Sequence, residues 1–600
     1  MSRQEHDTIV VLDFGGQYAH LIAKRIRGLE VYCEILPPSA GVADLDRVKG
    51  IILSGGPSSV YSPDQPPYNS KLLDMGIPML GLCYGHHILA KHFGGGVARG
   101  DAQEYGAAEL EITQPIGVLE GLKTVETVWM SHGDSVDSVP DGFEAIAKTS
   151  DCPVAAMGDP LRGIFGLQFH PEVTHTPSGN KILDQFLNVC GARRTWTMRT
   201  FAQDSVAAIR EHVGDRRVFL FVSGGVDSTV AFVLLNEAIG KENVVGLHID
   251  NGFMRLGESE FVDRTLRDNG FDNLHTIDAS ETFLAELVGV IDPQEKREVI
   301  GQVFMDVQFD QAGRFGLDVE NFVVGLGTLY PDIIESGGSD HADVIKTHHN
   351  RVDIIHDLIA EGKVVEPLDQ LYKDEVRQVG RQLGLPETLV ARHPFPGPGL
   401  AVRCLCSSGQ NAAVDGLVTE QVAVVAKTFG YDSAVLPIQS VGVQGDARTY
   451  SHPAVLVGPQ DWQQLELAST AITNHVADVN RVLYLLAPDS MPTLEPIEAH
   501  LTRERLDRLR KADALTMAHL EEEKWMSRIF QMPTILVPLS SNGSNESVIL
   551  RPLESDDVMT ARFAPVPNIG DLVKAIMDEN GSAAVFFDAT HKPPGTIEWE

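Results

Sequence analysis

Of the six cysteines in this 600-residue chain, Cys83 stands in a setting that suits a nucleophile. Gly81-Leu-Cys83-Tyr-Gly85 follows the apolar run Pro78–Leu82 and precedes a helical stretch from His86 to His92. Glycines two residues before and two after permit a tight strand-to-helix elbow, the device behind Gly-x-Ser-x-Gly nucleophiles. The N-terminus of the helix that follows favours a thiolate. Taken alone, such a cysteine is more often a buried structural side chain. The pattern Gly166-Leu-Gln-Phe-His170-Pro-Glu172 changes that balance. In an extended segment residues i and i+2 share a face, so Glu172 can orient the imidazole of His170. Cysteine, histidine and carboxylate are the nucleophile, base and orienter of acyl transfer. The oxyanion formed there needs backbone donors. Gly56, in Ser54-Gly-Gly-Pro57 at another strand end, and Tyr84 are the expected pair.

A second constellation is Ser223-Gly224-Gly225-Val226-Asp227-Ser228-Thr229, between the strand 218–222 and a helix predicted over 230–238. Glycines let a backbone approach phosphates, and N–H groups at a helix start bind anions. Ser223, Ser228 and Thr229 add hydroxyl donors. No lysine follows the glycines, so this is not a Walker A loop; the plainer alternative is an ordinary glycine turn. Asp250, ending the next strand, suits the nucleotide side of such a fold. Lys373, in Tyr-Lys-Asp-Glu, could neutralise phosphate or simply be solvated. Triphosphate chemistry calls for Mg2+; its ligands are not resolved by the sequence, with Asp227 a candidate.

These residues need rigid elements behind them. Ile9–Leu12, Gly50–Leu53 and Pro78–Leu82 read as buried strands alternating with helices, which implies a parallel sheet covered on both faces. The expected fold is α/β multidomain. It comprises a sheet carrying the cysteine constellation over 1–190, a phosphate-loop sheet over 200–400, and two C-terminal α+β subdomains over 401–495 and 496–600. Gly191–Thr195 reads as a linker, and Pro394–Gly399 as a rigid turn incompatible with helix or regular strand. The two subdomains are inferred from a weak repeat: Val435–Ile438 is echoed by Leu536–Leu539, and Arg481–Leu486 by Ala583–Phe587.

The formal net charge is −35, with no long basic run, which argues against nucleic acid and anionic membranes as partners. Sparse cysteine suits a reducing compartment. No apolar run is long enough to span a bilayer, and the N-terminus has no signal pattern. A cytoplasmic enzyme is the expectation.

The first constellation, with Met130-Ser-His-Gly-Asp134, resembles the class I glutamine amidotransferases over about 190 residues. That family forms a γ-glutamyl thioester on cysteine and releases ammonia. It usually carries glutamine where this chain has His87, which puts the tuning of glutamine binding in question. The second constellation resembles the ATP pyrophosphatases, which adenylate a carbonyl oxygen and retain pyrophosphate in the loop. Asp292–Arg297, Thr328–Asp332, Lys346–Asn350, Arg392–Gly399, Val441–Asp446 and Lys592–Glu600 together resemble the GMP synthetase family in sequence order. The resemblance implies three substrates: glutamine, ATP and xanthosine 5′-monophosphate (XMP). It implies XMP contacts at Arg297, Asp446, Gln531, Lys592 and Glu598. Shorter members of that family dimerise through one C-terminal subdomain. Two subdomains in one chain make a monomer the preferred expectation, with a homodimer the alternative. The rival enzyme class, phosphate-loop amidation of an NAD precursor, generally pairs with a nitrilase-type glutaminase, which the Cys83 set does not match. A catalytically dead scaffold is disfavoured by the intact nucleophile, base and loop.

Overall fold

The computed structural model describes residues 6–600 apart from 17, 46, 58, 63–64, 316–321, 338–360, 411–413, 445–446 and 556–559. The chain divides into two compact units. One comprises 1–211, 328–346 and 368–382; the other comprises 212–327, 347–367 and 383–600. The stretch expected as a single domain, 200–400, is thus shared between them.

In the first unit a nine-stranded sheet contains β1 (Thr8–Leu12), β2 (Tyr32–Leu36), β3 (Val48–Leu53), β4 (Met79–Leu82), β5 (Gly96–Ile112), β6 (Val125–Ser138), β7 (Glu144–Lys148), β8 (Ala156–Asp159) and β9 (Ile164–Leu167). Their order is β2-β1-β3-β4-β9-β8-β7-β5-β6. The first five in that order pair in parallel. Most of their residues are apolar and buried on both faces, as a doubly covered parallel sheet requires. Helix α1 (Ala19–Gly28) presents Ala19, Ile22, Ala23 and Ile26 to the core, the spacing of one helical face.

Two later segments join this unit through Arg27 at the end of α1. Its guanidinium lies 4.6 Å from the ring centroid of Tyr330 and 5.1 Å from that of Tyr372, with Tyr32 and Trp196 also within 5.4 Å. Its charge is met by Glu375 at 3.2 Å. Glu375 also accepts Trp196 Nε1 at 2.9 Å. Aromatic faces and one carboxylate stabilise a cation that burial alone would expel. This explains why the helices Tyr330–Gly337 and Lys373–Gln382 pack with the first sheet. Lys373 belongs to that helix.

The second unit opens with five parallel strands: β10 (Arg217–Phe221), β11 (Val244–Asp250), β12 (Leu274–Asp278), β13 (Phe322–Gly325) and β14 (Val364–Val365). Their order is β12-β11-β10-β13-β14, with β10 central. Helix α3 (Val226–Ile239) follows β10 and is buried along almost its whole length.

Beyond residue 400 the two expected subdomains contribute to one seven-stranded sheet. The first repeat supplies β15 (Asp432–Val435), β16 (Ser440–Gln444), β17 (Ala447–Val457) and β18 (Val479–Ala487). The second supplies β19 (Thr534–Val537), β20 (Ser547–Leu550) and β21 (Val585–Asp588). The order is β15-β17-β18-β21-β20-β19, with β16 paired to β17. From either edge the pairing reads antiparallel, then parallel, and the halves meet in the antiparallel seam β18–β21. The helices match too: α5 (Gly416–Thr428) and α6 (Trp462–His475) in the first half correspond to α7 (Arg503–Glu522) and α8 (Ile569–Asn580) in the second. (Helix α4, Pro293–Arg314, belongs to the parallel-sheet part.) Along β18, Leu483 and Leu485 enter one core and Val482 and Tyr484 the other, the period of two expected of a strand.

At the seam a fully buried carboxylate, Asp588, meets two fully buried guanidiniums: Arg481 at 3.0 Å and Arg551 at 2.9 Å. The surplus positive charge is spread over carbonyls. Arg481 donates to Val441 O, Thr596 O and Glu598 O, and Arg551 to Thr590 O and Thr596 O. The terminal segment 590–598 is thereby held by side chains from both repeats. Burial raises the Asp588 pKa, but Arg551 and Arg481 outweigh it, so the net shift is downward from 3.8. The stability this carboxylate contributes is therefore present above its ordinary pKa and lost as pH falls below it. Asp588→Ala leaves two buried cations uncompensated. It should destabilise the second unit by about 3–5 kcal/mol, read as a lowered denaturant midpoint for that unit at pH 7.

Candidate active sites

The nucleophile turn is set by backbone crowding. Cys83 sits between β4 and helix α2 (Tyr84–His92) with φ 50° and ψ −103°, a conformation a non-glycine residue adopts only when its surroundings enforce it. A Cβ on Gly81 would lie 2.5 Å from Gly85 O, and one on Gly85 would strike Leu53 O. Both positions therefore exclude any side chain. Cys83 follows β4, His170 lies beyond β9 and Gly55 follows β3. These are three adjacent parallel strands, so their carboxyl ends converge. The Gly55 backbone lies against both His170 and Cys83.

His170 Nδ1 is 2.7 Å from Glu172 Oε1, and both side chains are buried. The local reason differs from the extended segment expected. Strand β9 ends at Leu167, and the pair is joined through a turn at Pro171 and Glu172. The turn is pinned by His170 N–H on Trp129 O at 3.0 Å and by Thr176 Oγ1 on His170 O at 2.7 Å. Arg25 Nε donates to Glu172 O at 3.0 Å. Burial lowers the His170 pKa, but the Glu172 charge and hydrogen bonds with Cys83 and Glu172 outweigh it and carry it up to about 10. The ring is therefore an imidazolium at neutral pH, beside a sulfur whose thiolate it can stabilise. By linkage, the stability due to this raised pKa is full below the ordinary histidine value of 6.5 and lost as pH rises through about 10. Cys83 Sγ also faces Ser131 O at 3.5 Å and Gln168 Nε2 at 3.8 Å.

In the second unit the loop 223–229 leaves central strand β10 and enters α3, whose N-cap is Gly225. The loop is internally braced. Ser223 N–H donates to Ser228 Oγ at 3.1 Å, the Ser223 and Ser228 hydroxyls are 3.0 Å apart, and Thr229 Oγ1 donates to Gly225 O at 2.8 Å. Gly224 takes φ +83°, which turns the chain ahead of the helix. Arg392 donates to Gly224 O at 2.9 Å and pairs with Glu258. Asp250 ends β11, the neighbour of β10, and its Oδ1 accepts Gly252 N–H at 2.9 Å.

The residues implied as XMP contacts fall around the terminal segment. Glu598 receives two hydrogen bonds from Arg403, at 2.8 and 3.0 Å. Arg297, one turn into α4, reaches Glu600 O. Gln531 Nε2 donates to Pro394 O at 2.5 Å. The next residue, Phe395, packs beneath the guanidiniums of Arg255 and Arg403 at 4.7 and 5.4 Å. A continuous chain of contacts thus links Gln531, Phe395, Arg403 and Glu598. Lys592 pairs through its backbone with Ala561. Asp446 and the segment 346–350 lie outside the described residues.

Sequence reasoning missed three side chains here. Gln168 is two residues before His170, so the same period-two argument that picked Glu172 would have marked it. Arg392 was visible only as part of a motif. Arg403 gave no signal, because nothing in spacing distinguishes a fully buried arginine from a solvated one.

Class-I glutamine amidotransferase matches residues 10–190, and GMP synthase C terminal domain matches residues 518–599. The first unit thus carries an amidotransferase of class I, joined in one chain to a second parallel sheet. The chain is 40% identical over 605 residues to the "Probable GMP synthase (glutamine-hydrolyzing)" of Leptospira interrogans, covering 99% of this chain and 100% of that one. GMP synthases (glutamine-hydrolyzing) of Heliobacterium modesticaldum and Symbiobacterium thermophilum are 44% and 45% identical, each covering 82% of this chain and 99% of their own. The chain belongs to the glutamine-hydrolysing GMP synthase family. The imidazole of His170, followed by NMR, should titrate near pH 10 in the parent protein; in Glu172→Gln the midpoint should fall, because the carboxylate charge that leads the opposition to burial is gone and only Cys83 still opposes it.

Proposed function

We propose that this enzyme makes GMP from XMP with the nitrogen of glutamine, and that the chemistry is divided between Cys83 and the loop 223–229. Cys83 Sγ attacks the glutamine carboxamide carbon. The N–H groups of Gly56 and Tyr84 receive the oxyanion, and His170, held by Glu172, gives its proton to departing ammonia. Water then cleaves the thioester to glutamate. At the second site the C2 oxygen of XMP attacks the α-phosphorus of ATP. Pyrophosphate departs into the donors of residues 223–229, and ammonia displaces AMP from C2. Arg297 and Lys592 suit the XMP phosphate; Asp446, Gln531 and Glu598 suit ribose or base edges. The observation that carries this reading is the meeting of Cys83, His170 and Glu172 at the carboxyl ends of β3, β4 and β9.

Mg2+ fits the loop. Asp227, in the first turn of α3 beside the Ser228 and Thr229 hydroxyls, offers a hard oxygen ligand. Among the described residues no cluster of three or more His, Cys, Asp or Glu could hold a metal by itself. An ion held mainly by phosphates and water needs only one or two carboxylates. When bound, it would neutralise charge on the triphosphate. We also assign the enzyme to the cytoplasm; no helix among the described residues is long and apolar enough to cross a membrane.

We further propose that the chain is a monomer. The pseudo-symmetric seam β18–β21 joins the two repeats as a two-fold interface would join two chains. The shorter relatives, matched almost completely by 82% of this chain, fit a surplus repeat here. Light scattering over a dilution series at several salt concentrations should give the mass of one chain; a persistent double mass would overturn the monomer.

Three variants test the division of labour. Cys83→Ala should abolish glutamine-driven synthesis while ammonium-driven synthesis continues. Asp227→Ala or Ser228→Ala should lower both by about 10- to 100-fold, with glutaminase activity surviving. Equal loss with both nitrogen donors in a folded Cys83→Ala protein would refute the assignment.

A further inference from the structure

His87 stands one helical turn beyond the nucleophile, and the structure puts it to a definite use. Its side chain is buried, one helical turn beyond Cys83 on α2, with His87 N–H on Cys83 O at 3.2 Å. His87 Nε2 is 2.8 Å from Gln168 Oε1. Gln168, itself fully buried, turns its other amide atom to the nucleophile, with Nε2 3.8 Å from Cys83 Sγ. The three side chains form one polar path, His87 to Gln168 to Cys83. Around the imidazole stand His86, at 6.0 Å between ring centroids, His132, and Asp134 with both its charge and its main chain. Burial, the largest influence, holds the His87 pKa below 6.5 against the pull of Gln168 and Asp134, so the ring is neutral at pH 7 and carries a single N–H.

A carboxamide beside a sulfur has two orientations of opposite consequence. With NH2 toward Sγ it donates to a thiolate; with oxygen toward Sγ it repels one. The partner on the far side decides between them. A donor there selects the amide oxygen and leaves NH2 for the sulfur. We propose that His87 is a positioning residue for the glutaminase reaction: it donates to Gln168 Oε1, fixing the Gln168 carboxamide with its NH2 on Cys83 Sγ, so that the thiolate has a neutral donor besides His170. This rests on the reading of Cys83 as nucleophile. It assigns to His87 no contact with glutamine, and replaces the expectation of retuned substrate binding with one of a retuned nucleophile.

The test uses the full-length enzyme and three variants: His87→Leu, His87→Gln and Gln168→Leu. Alkylation of Cys83 by iodoacetamide, followed by peptide mass, is measured from pH 6 to 10 with kcat and KM for glutamine. Ammonium-driven synthesis reports that each variant is folded. At pH 7 His87→Leu should alkylate about tenfold more slowly than the parent, the scale of one lost hydrogen bond to a charged group. Glutamine kcat should fall with KM unchanged, and Gln168→Leu should behave alike. His87→Gln should restore parent behaviour, since its carboxamide can donate to the same oxygen. Parent-like alkylation in both leucine variants would overturn the proposal. So would a rise in KM alone in His87→Leu, which would make His87 a substrate contact, or failure of His87→Gln to outperform His87→Leu. If His87→Leu loses ammonium-driven synthesis as well, Gln168→Leu and His87→Gln still decide. Alkylated parent enzyme that continues to hydrolyse glutamine would instead refute Cys83 as the nucleophile.

Discussion

Backbone must touch backbone where the strand ahead of Cys83 ends, and the site around that cysteine follows from the requirement. Where β4 ends, Gly81 and Gly85 leave no room for a Cβ, so the chain turns sharply enough to lift Cys83 out of the strand at a positive φ. Where β10 ends, Gly224 makes the corresponding turn into α3. In each case the helix N-terminus is brought up to the reacting groups. Its unsatisfied N–H groups favour negative charge there, the property on which the proposed thiolate and phosphate sites draw. Sheet order completes the arrangement: β3 and β9 flank β4, so the glycine turn after β3 and the histidine after β9 arrive on either side of the cysteine.

Electrostatics inside these sites are decided by competition between burial and partners. Burial would neutralise His170, yet Glu172 at 2.7 Å and the sulfur beside it hold the ring charged. One turn along α2, His87 has a carboxamide and only weaker electrostatic help, and burial prevails. Two histidines within one pocket thus keep opposite charge states at neutral pH, one as proton donor and one as a neutral hydrogen-bond donor. The same competition at Asp588 is settled by two arginines, which keep a wholly buried carboxylate ionised. Such groups contribute less to net stability than to the uniqueness of the arrangement they hold; here that arrangement is the terminal segment.

The C-terminal half shows how a duplicated element can lose symmetry while keeping its framework. Both repeats retain the strands and helices that build the shared sheet. The hairpin β16–β17 belongs to the first repeat, while the terminal segment with Lys592 and Glu598 belongs to the second. Arg481, on the first, binds the carbonyls of that segment. Neither repeat could hold the segment in this way alone.

Much of this was legible from residue order. Apolar runs of four to six residues, each followed within a few residues by glycine, marked β1, β3, β4, β10 and β11, because a doubly covered strand needs an unbroken apolar run and a sharp turn after it. The turn at Cys83 and the strand–loop–helix at 223–229 were legible for the same reason: their local geometry depends on neighbours a few residues away. The bond from His170 to Glu172 was foreseen as a contact, though a pinned turn rather than a strand makes it. Contacts between distant parts of the chain were not legible. Arg27 with Tyr330, Tyr372 and Glu375, Arg403 with Glu598, Asp588 with Arg481 and Arg551, and Gln168 with His87 each join residues about 40 to 350 positions apart. Nor was the merging of two repeats into one sheet, since edge strands carry no mark of which edge they will join. Local spacing determines what a short segment can do; which buried charge meets which partner is set only when packing removes water from both.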